Sequence, residues 1–136
     1  MRVAQHNHNA MELAHWFLGR EGIVEVHYPG LPEHPDHVVA SEIMSGFGGM
    51  LAIVLDKGGV AADAFTSALE LALIAPSLGG VETLVSQPRY TSHVHFSEAM
   101  RAGVGIPDGF VRISVGLEDV EDLKEDFGRA LDVLNG

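Results

Sequence analysis

Six consecutive residues without a polar side chain, Met50 to Leu55 in MLAIVL, constrain this chain more than any other segment. A strand turns alternate residues to opposite faces, so a strand apolar at every position is predicted to be shielded from water on both. The Gly46-Phe47-Gly48-Gly49 turn precedes this run and Lys57-Gly58-Gly59 follows it, which leaves a short extended segment with sharp ends. A sheet is therefore expected at the centre of the fold.

The flanking patterns place helices and further strands around it. In the first eighteen residues, Ala10, Leu13, Ala14, Phe17 and Leu18 follow the i, i+3, i+4, i+7, i+8 spacing of an amphipathic helix. IVEVHYPG then alternates Val24, Val26 and Tyr28 with Glu25 and His27, and Pro29-Gly30 ends it. HPDHVVASEIM is a predicted second helix with Pro35 in its first turn. VAADAFTSALELAL puts Ala61, Phe65, Ala68 and Leu69 on one helical face; VETLVSQ and FVRISV read as strands, with a short helix between them. The closing segment EDVEDLKEDFGRALDVL sets Val120, Leu123, Phe127, Ala130, Leu131 and Leu134 along one stripe, with acids at its positive N-terminal end. The sum is an α+β domain: a mixed, mostly antiparallel sheet of about four strands with helices packed on one face.

At 136 residues the chain has the size of a single domain that buries a core without cross-links. Eight Lys+Arg against nineteen Asp+Glu leave a net charge of −11 with no basic cluster, which argues against nucleic-acid and anionic-membrane partners. The uncharged window from Met44 to Leu55 is broken by glycines and too short to span a bilayer. No cysteine and no signal-peptide core is present, so a cytoplasmic location is expected. The eight histidines include the pairs His34/His37 and His93/His95, but no carboxylate stands at ligand spacing beside them. No metal is expected, and the histidines read as surface groups.

Two features carry chemistry. In FVRISV, Val111, Ile113 and Val115 face one way and Phe110, Arg112 and Ser114 the other. The aliphatic face belongs to the helices, so Arg112 emerges from the opposite side, where a fixed guanidinium suits a carboxylate ligand. A structural pairing with a nearby Glu or Asp fits the spacing equally. The second feature is Ala75-Pro76-Ser77-Leu78-Gly79-Gly80, which is either a turn chosen for its backbone alone or a place where a ligand meets a hydroxyl and main-chain groups. Glu118, Asp119, Glu121 and Asp122 read as helix-capping and solvated charge.

YPGLPEHPDH, MSGFGGML, APSLGGVETL and GFVRISVGLEDVEDLKEDFGRAL occur in the order and at the distances found in the C-terminal domain of the cystathionine γ-synthase, cystathionine γ-lyase and methionine γ-lyase family. The chain resembles that small domain over nearly its whole length. The resemblance implies pyridoxal phosphate (PLP) as cofactor and γ-elimination or γ-replacement on cystathionine or a homoserine ester, within homotetramers of sulfur amino-acid metabolism. It implies that Arg112 takes the substrate α-carboxylate. Ser77 and Leu78 would stand beside the substrate, with Ser77 in a catalytic role and near the cofactor. The family holds its cofactor, through a lysine, mainly in a larger preceding domain; here the only lysines are Lys57 and Lys124. The resemblance thus implies a domain inactive by itself, whose Arg112 face is expected to be unusually apolar or concave where the larger domain would cover it. Pro76 stands where many members carry an acid, which leaves the choice of reaction open. A free-standing module that binds an amino acid or a protein partner without catalysis is the alternative.

Overall fold

The computed structural model describes residues 1–136. In chain order the elements are α1 (Arg2–Phe17), β1 (Ile23–His27), α2 (His37–Ile43), β2 (Met50–Leu55), α3 (Gly58–Ser67), β3 (Leu73–Ile74), β4 (Leu84–Ser86), α4 (Glu98–Gly103), β5 (Phe110–Ser114) and α5 (Val120–Asn135). A single 3-10 turn, Pro88–Tyr90, follows β4. The sheet has five strands in the order β1-β2-β5-β4-β3. All pairings are antiparallel except β3 with β4. The expected α+β architecture is present, with β3 as a two-residue addition to the four strands that the pattern gave.

The core lies on one side of this sheet. Leu51, Ile53 and Leu55 of β2, Val111 and Ile113 of β5 and Val85 of β4 join Ala10, Leu13, Ala14 and Phe17 of α1, Ala61, Ala62 and Phe65 of α3, and Leu123, Phe127, Ala130 and Leu131 of α5. Phe127 stands at the centre, 5.3 Å from Phe17 in an edge-on contact and 6.0 Å from Phe65 in a stacked one. Aromatic pairs in these geometries add to the apolar burial that dominates the stability of such a core. The stripe read on α5 is the stripe that packs, because a helix of this length buries only one face.

Four expectations about the elements need correction. The alternation in β1 breaks at a bulge between Ile23 and Glu25. Ile23 and Val26 meet the core, while Val24 is 59% exposed, because an extra residue in one strand resets its facing. Helix α3 stops at Ser67 and does not run on to Leu73. The cause lies far along the chain: the buried Asp126 carboxylate accepts hydrogen bonds from the backbone N–H of Glu70, Leu71 and Ala72 at 2.9, 3.0 and 2.9 Å, drawing this segment out of helical register. Pro35 sits in the turn before α2, whose N-cap is Asp36, and Leu18 lies beyond the last residue of α1, at its exposed C-cap.

The histidines are not all on the surface. His6 is buried, and its Nδ1 donates to the carbonyl of Val115 at 2.6 Å; His37 stacks on Phe47 at 5.5 Å. Tyr28 is fully buried and donates its hydroxyl to the Gly48 carbonyl at 2.8 Å, and burial pushes its phenol up to about 12. No helix is long and apolar enough to cross a membrane.

Candidate functional site

Strand β5 sits between β2 and β4, so the side chains on its outer face stand at the middle of the sheet. The register puts Arg112 between Ala52 of β2 and Ser86 of β4, with His27 of β1 one strand further out. Arg112 therefore occupies the face away from the helices, as its alternation requires. That face is mixed and not unusually apolar. Ala52 and Val54 are nearly inaccessible, but their registered neighbours are His27, Arg112, Glu25 and Phe110, and the His27 and Phe110 rings stack at 5.8 Å. MLAIVL is thus covered by helices on one side and by the side chains of adjoining strands on the other.

The fold brings the two chemical features together. The Nη2 of Arg112 donates to the carbonyls of Pro76 and Ser77, at 2.7 and 3.0 Å. Beside the guanidinium opens a hollow of about 300 Å³ walled by the rings of Pro76 and Pro88 and by Ser86, Thr91, Ser92 and Arg112. Ser77 and Leu78 are both exposed next to it. The lack of a carboxylate partner sets Arg112 apart from Arg89, Arg101 and Arg129. Arg89 pairs with Asp63 at 2.7 Å, Arg101 with Asp108 at 2.8 Å and Arg129 with Asp126 at 2.5 Å. Arg112 meets carbonyl oxygens only, so the pairing with a nearby Glu or Asp that its sequence allowed is not what forms. A guanidinium without an anion, fixed on a strand beside an open hollow that three hydroxyl side chains help to line, is suited to an incoming carboxylate.

The segment carrying Ser77 is held along its whole length by β5 and the turn that follows it. Leu117 N–H donates to the Val81 carbonyl at 2.9 Å. Glu118 takes the Thr83 N–H at 2.7 Å and its hydroxyl at 2.8 Å, while the Thr83 oxygen accepts from Gly116 N–H at 2.9 Å. From the other side, Asn9 of α1 donates to the carbonyls of Gly116 and Glu118, at 3.1 and 2.8 Å. Gly116 is a glycine because the two segments touch there: a Cβ would lie 2.4 Å from the Val81 oxygen. Glu118, read from sequence as cap and solvated charge, is therefore a structural ligand of the Ser77 loop.

A second polar cluster escaped the sequence reading. Asp63 of α3 accepts from Gln87, from Tyr90 and from Arg89, and Arg89 also donates to the Gly59 carbonyl at 2.8 Å. Burial acts to raise the Asp63 carboxyl, but the hydrogen bonds from Gln87, Arg89 and Tyr90 and the Arg89 charge outweigh it and hold the group below its ordinary value. These residues tie the start and middle of α3 to the turn after β4, which forms one wall of the hollow.

Neither lysine of the chain is placed to anchor PLP. Lys124 is held as an ammonium by Glu121 at 2.9 Å and Glu12 at 3.3 Å, and the Glu121 hydrogen bond, with help from Glu12, raises it above its ordinary value despite some desolvation. Lys57 is exposed in the turn before α3. Neither lies in an apolar pocket, the environment that frees an amine to attack a carbonyl.

The chain is similar to known proteins over nearly its whole length. The chain is 40% identical over 131 residues to a cystathionine β-lyase of Coxiella burnetii, covering 96% of this chain and 34% of that protein. It is 40% identical over 134 residues to an O-succinylhomoserine sulfhydrylase of Pseudomonas aeruginosa, covering 98% and 33%. A cystathionine γ-synthase of Xanthomonas oryzae pv. oryzae, solved in complex with aminoacrylate and cysteine, superimposes with a TM-score of 0.92 at 36% identity, over 98% of this chain and 35% of that one. The chain spans about a third of the length of each of these relatives. A family profile described as Cys/Met metabolism PLP-dependent enzyme matches residues 1–132, and the chain belongs to that family.

Proposed function

We propose that these residues form the small, C-terminal, substrate-side domain of a PLP-dependent enzyme of transsulfuration, with Arg112 as receptor for the substrate α-carboxylate. The observation that carries this reading is the Arg112 guanidinium beside an open hollow, bonded to carbonyl oxygens and to no carboxylate. PLP, when bound, stabilises negative charge on the substrate carbon beside the amino group. The part assigned to this chain is orientation: a planar fork fixes both carboxylate oxygens at once, and the exposed Ser77 hydroxyl with the neighbouring Leu78 backbone flanks the bound molecule. The cofactor would be held mainly by a larger domain outside these 136 residues. The complete enzyme would act by γ-elimination or γ-replacement on cystathionine or a homoserine ester, as a homotetramer.

The test compares the 136-residue chain with the longest polypeptide that carries it in frame. The longer protein is expected to take up PLP on a lysine and to turn over a sulfur amino acid; the short chain should do neither. In the active protein Arg112→Ala is expected to cost about 2–5 kcal/mol in kcat/KM, and Arg112→Lys to raise KM by losing the paired geometry. An Arg112→Ala enzyme within about twofold of the parent in kcat/KM, a shift of only ~0.4 kcal/mol, would show that Arg112 is structural. Stoichiometric borohydride trapping of the cofactor on Lys57 or Lys124 would overturn the division of labour. If the longest polypeptide is the chain itself and it binds an amino acid without turnover, the non-catalytic module is the correct reading.

A further inference from the structure

Arg112 cannot hold its loop and a bidentate carboxylate in the same way at the same time. Each of the two paired faces of a guanidinium, Nε with Nη2 and Nη1 with Nη2, uses an Nη2 hydrogen. Both recorded bonds of Arg112 leave from Nη2, toward the carbonyls of Pro76 and Ser77. A carboxylate that takes either face must therefore displace at least one of these carbonyls. The segment released in that exchange is the one that carries the Ser77 hydroxyl.

A second anchor is placed to take over. Ser114 lies two residues along β5 on the same face, is 2% exposed, and its Oγ accepts the Gly79 N–H at 3.0 Å. Gly79 has φ of +76° and open space where a Cβ would stand. The turn there is thus set by backbone conformation and by this hydrogen bond, not by packing. Beyond it the chain is fixed again at Thr83 by Glu118.

We propose that Ser114 is a positioning residue for Ser77: through the Gly79 N–H it keeps the Pro76–Gly80 loop in place while the Arg112 fork passes from the loop carbonyls to a carboxylate ligand. This rests on the reading of Arg112 as a carboxylate receptor. The chemistry is an exchange of acceptors on one guanidinium, with no covalent step. A loop tied only by Arg112 would come loose whenever ligand bound, and the Ser114 contact removes that conflict.

The experiment uses the isotopically labelled 136-residue chain with acetate as probe and acetamide as uncharged control. The Arg112 Nε–H resonance reports the fork, and hydrogen exchange at the Gly79 amide reports the loop. In the unmodified chain, acetate and not acetamide should shift the Arg112 resonance while Gly79 exchange stays within about twofold of its ligand-free rate. In Ser114→Ala, acetate should still shift Arg112, but Gly79 should exchange about tenfold faster or more when acetate is bound. Ser114→Thr, which keeps the oxygen, should restore protection. Gly79 exchanging freely in the acetate-saturated unmodified chain overturns the proposal with no variant needed. So does Ser114→Ala with Gly79 still protected. No acetate-dependent shift at Arg112 removes the carboxylate reading itself, and the proposal with it, so the two failures are told apart by which resonance fails to respond.

Discussion

Removing the Asp126 carboxylate is expected to be among the costliest single polar changes in this chain. Asp126→Ala strips three backbone N–H groups of their acceptor. Ala72 is 3% exposed, so its N–H cannot recruit water, and an unsatisfied buried donor costs about 1–3 kcal/mol. Glu70 and Leu71 are exposed enough for water to replace part of what they lose. The partly exposed Arg129 would forfeit a pair worth about 0–1 kcal/mol, although it keeps Glu70 at 3.4 Å. The sum is about 2–4 kcal/mol, or a fall in Tm of roughly 6–14 °C for a domain of this size. Asp126→Asn should recover only a fraction, because its amide NH₂ points a donor at donors. Urea unfolding followed by circular dichroism measures this directly, with the m-value unchanged if the native fold persists. A loss below about 0.5 kcal/mol for Asp126→Ala would refute the claim that this carboxylate ends α3 and shapes the segment after it.

Tyr28→Phe should cost about 1 kcal/mol at neutral pH through the lost bond to Gly48. Because the folded phenol is pushed from 10.0 to about 12, its contribution is complete below about pH 10 and lost toward pH 12, at up to ~1.4 kcal/mol per pH unit. The stability gap between the two proteins should therefore close and then reverse across that window, because about two pH units at up to ~1.4 kcal/mol each exceed the ~1 kcal/mol of the lost bond; a constant gap would contradict the buried-phenol account. Gly116→Ala should lose about 1–3 kcal/mol and shift the amide resonances of residues 76–83, since its methyl meets the Val81 carbonyl. Gly103→Ala, at an open position with ordinary φ, is the matched control and should leave stability unchanged or slightly raised. The Asp63 carboxyl should titrate below its ordinary 3.8 by NMR, and Arg89→Leu should move its midpoint upward. Stability contributed by this carboxylate is present above 3.8 and fades as pH falls through the lower folded value.

What the sequence made legible follows from where its causes lie. The α5 stripe, the α1 stripe apart from Leu18 and the facing of Arg112 are local, fixed by a period of 3.6 or 2 within one segment, and each stands where the period puts it. The bulge in β1 depends on how β2 meets it, and the early end of α3 depends on a carboxylate in α5. No window around Val24 or Ser67 holds that information. The site divides in the same way. Arg112 and Ser77 could be named from alternation and from resemblance, whereas their contact through the Pro76 and Ser77 carbonyls exists only once β4 lies beside β5. Ser114 and Glu118 were visible in VRISVGLED, but their partners are separated from them in sequence and cannot be read from that motif alone.

The place of β5 in the sheet also sets a timetable for synthesis. It is near the end of the chain, yet it lies between β2 and β4. As a ribosome releases the polypeptide, β1 can meet β2 and β3 can meet β4, but no strand joins the two pairs until Phe110–Ser114 has emerged. Until then β2 and β4 each present an edge that belongs in the middle of a sheet, the kind of surface that recruits other chains. Closure waits on the slow, non-local step that long sequence separation imposes. Products truncated before β5 should therefore aggregate and not persist as smaller folded domains, and chaperone demand should concentrate in the interval just before its release.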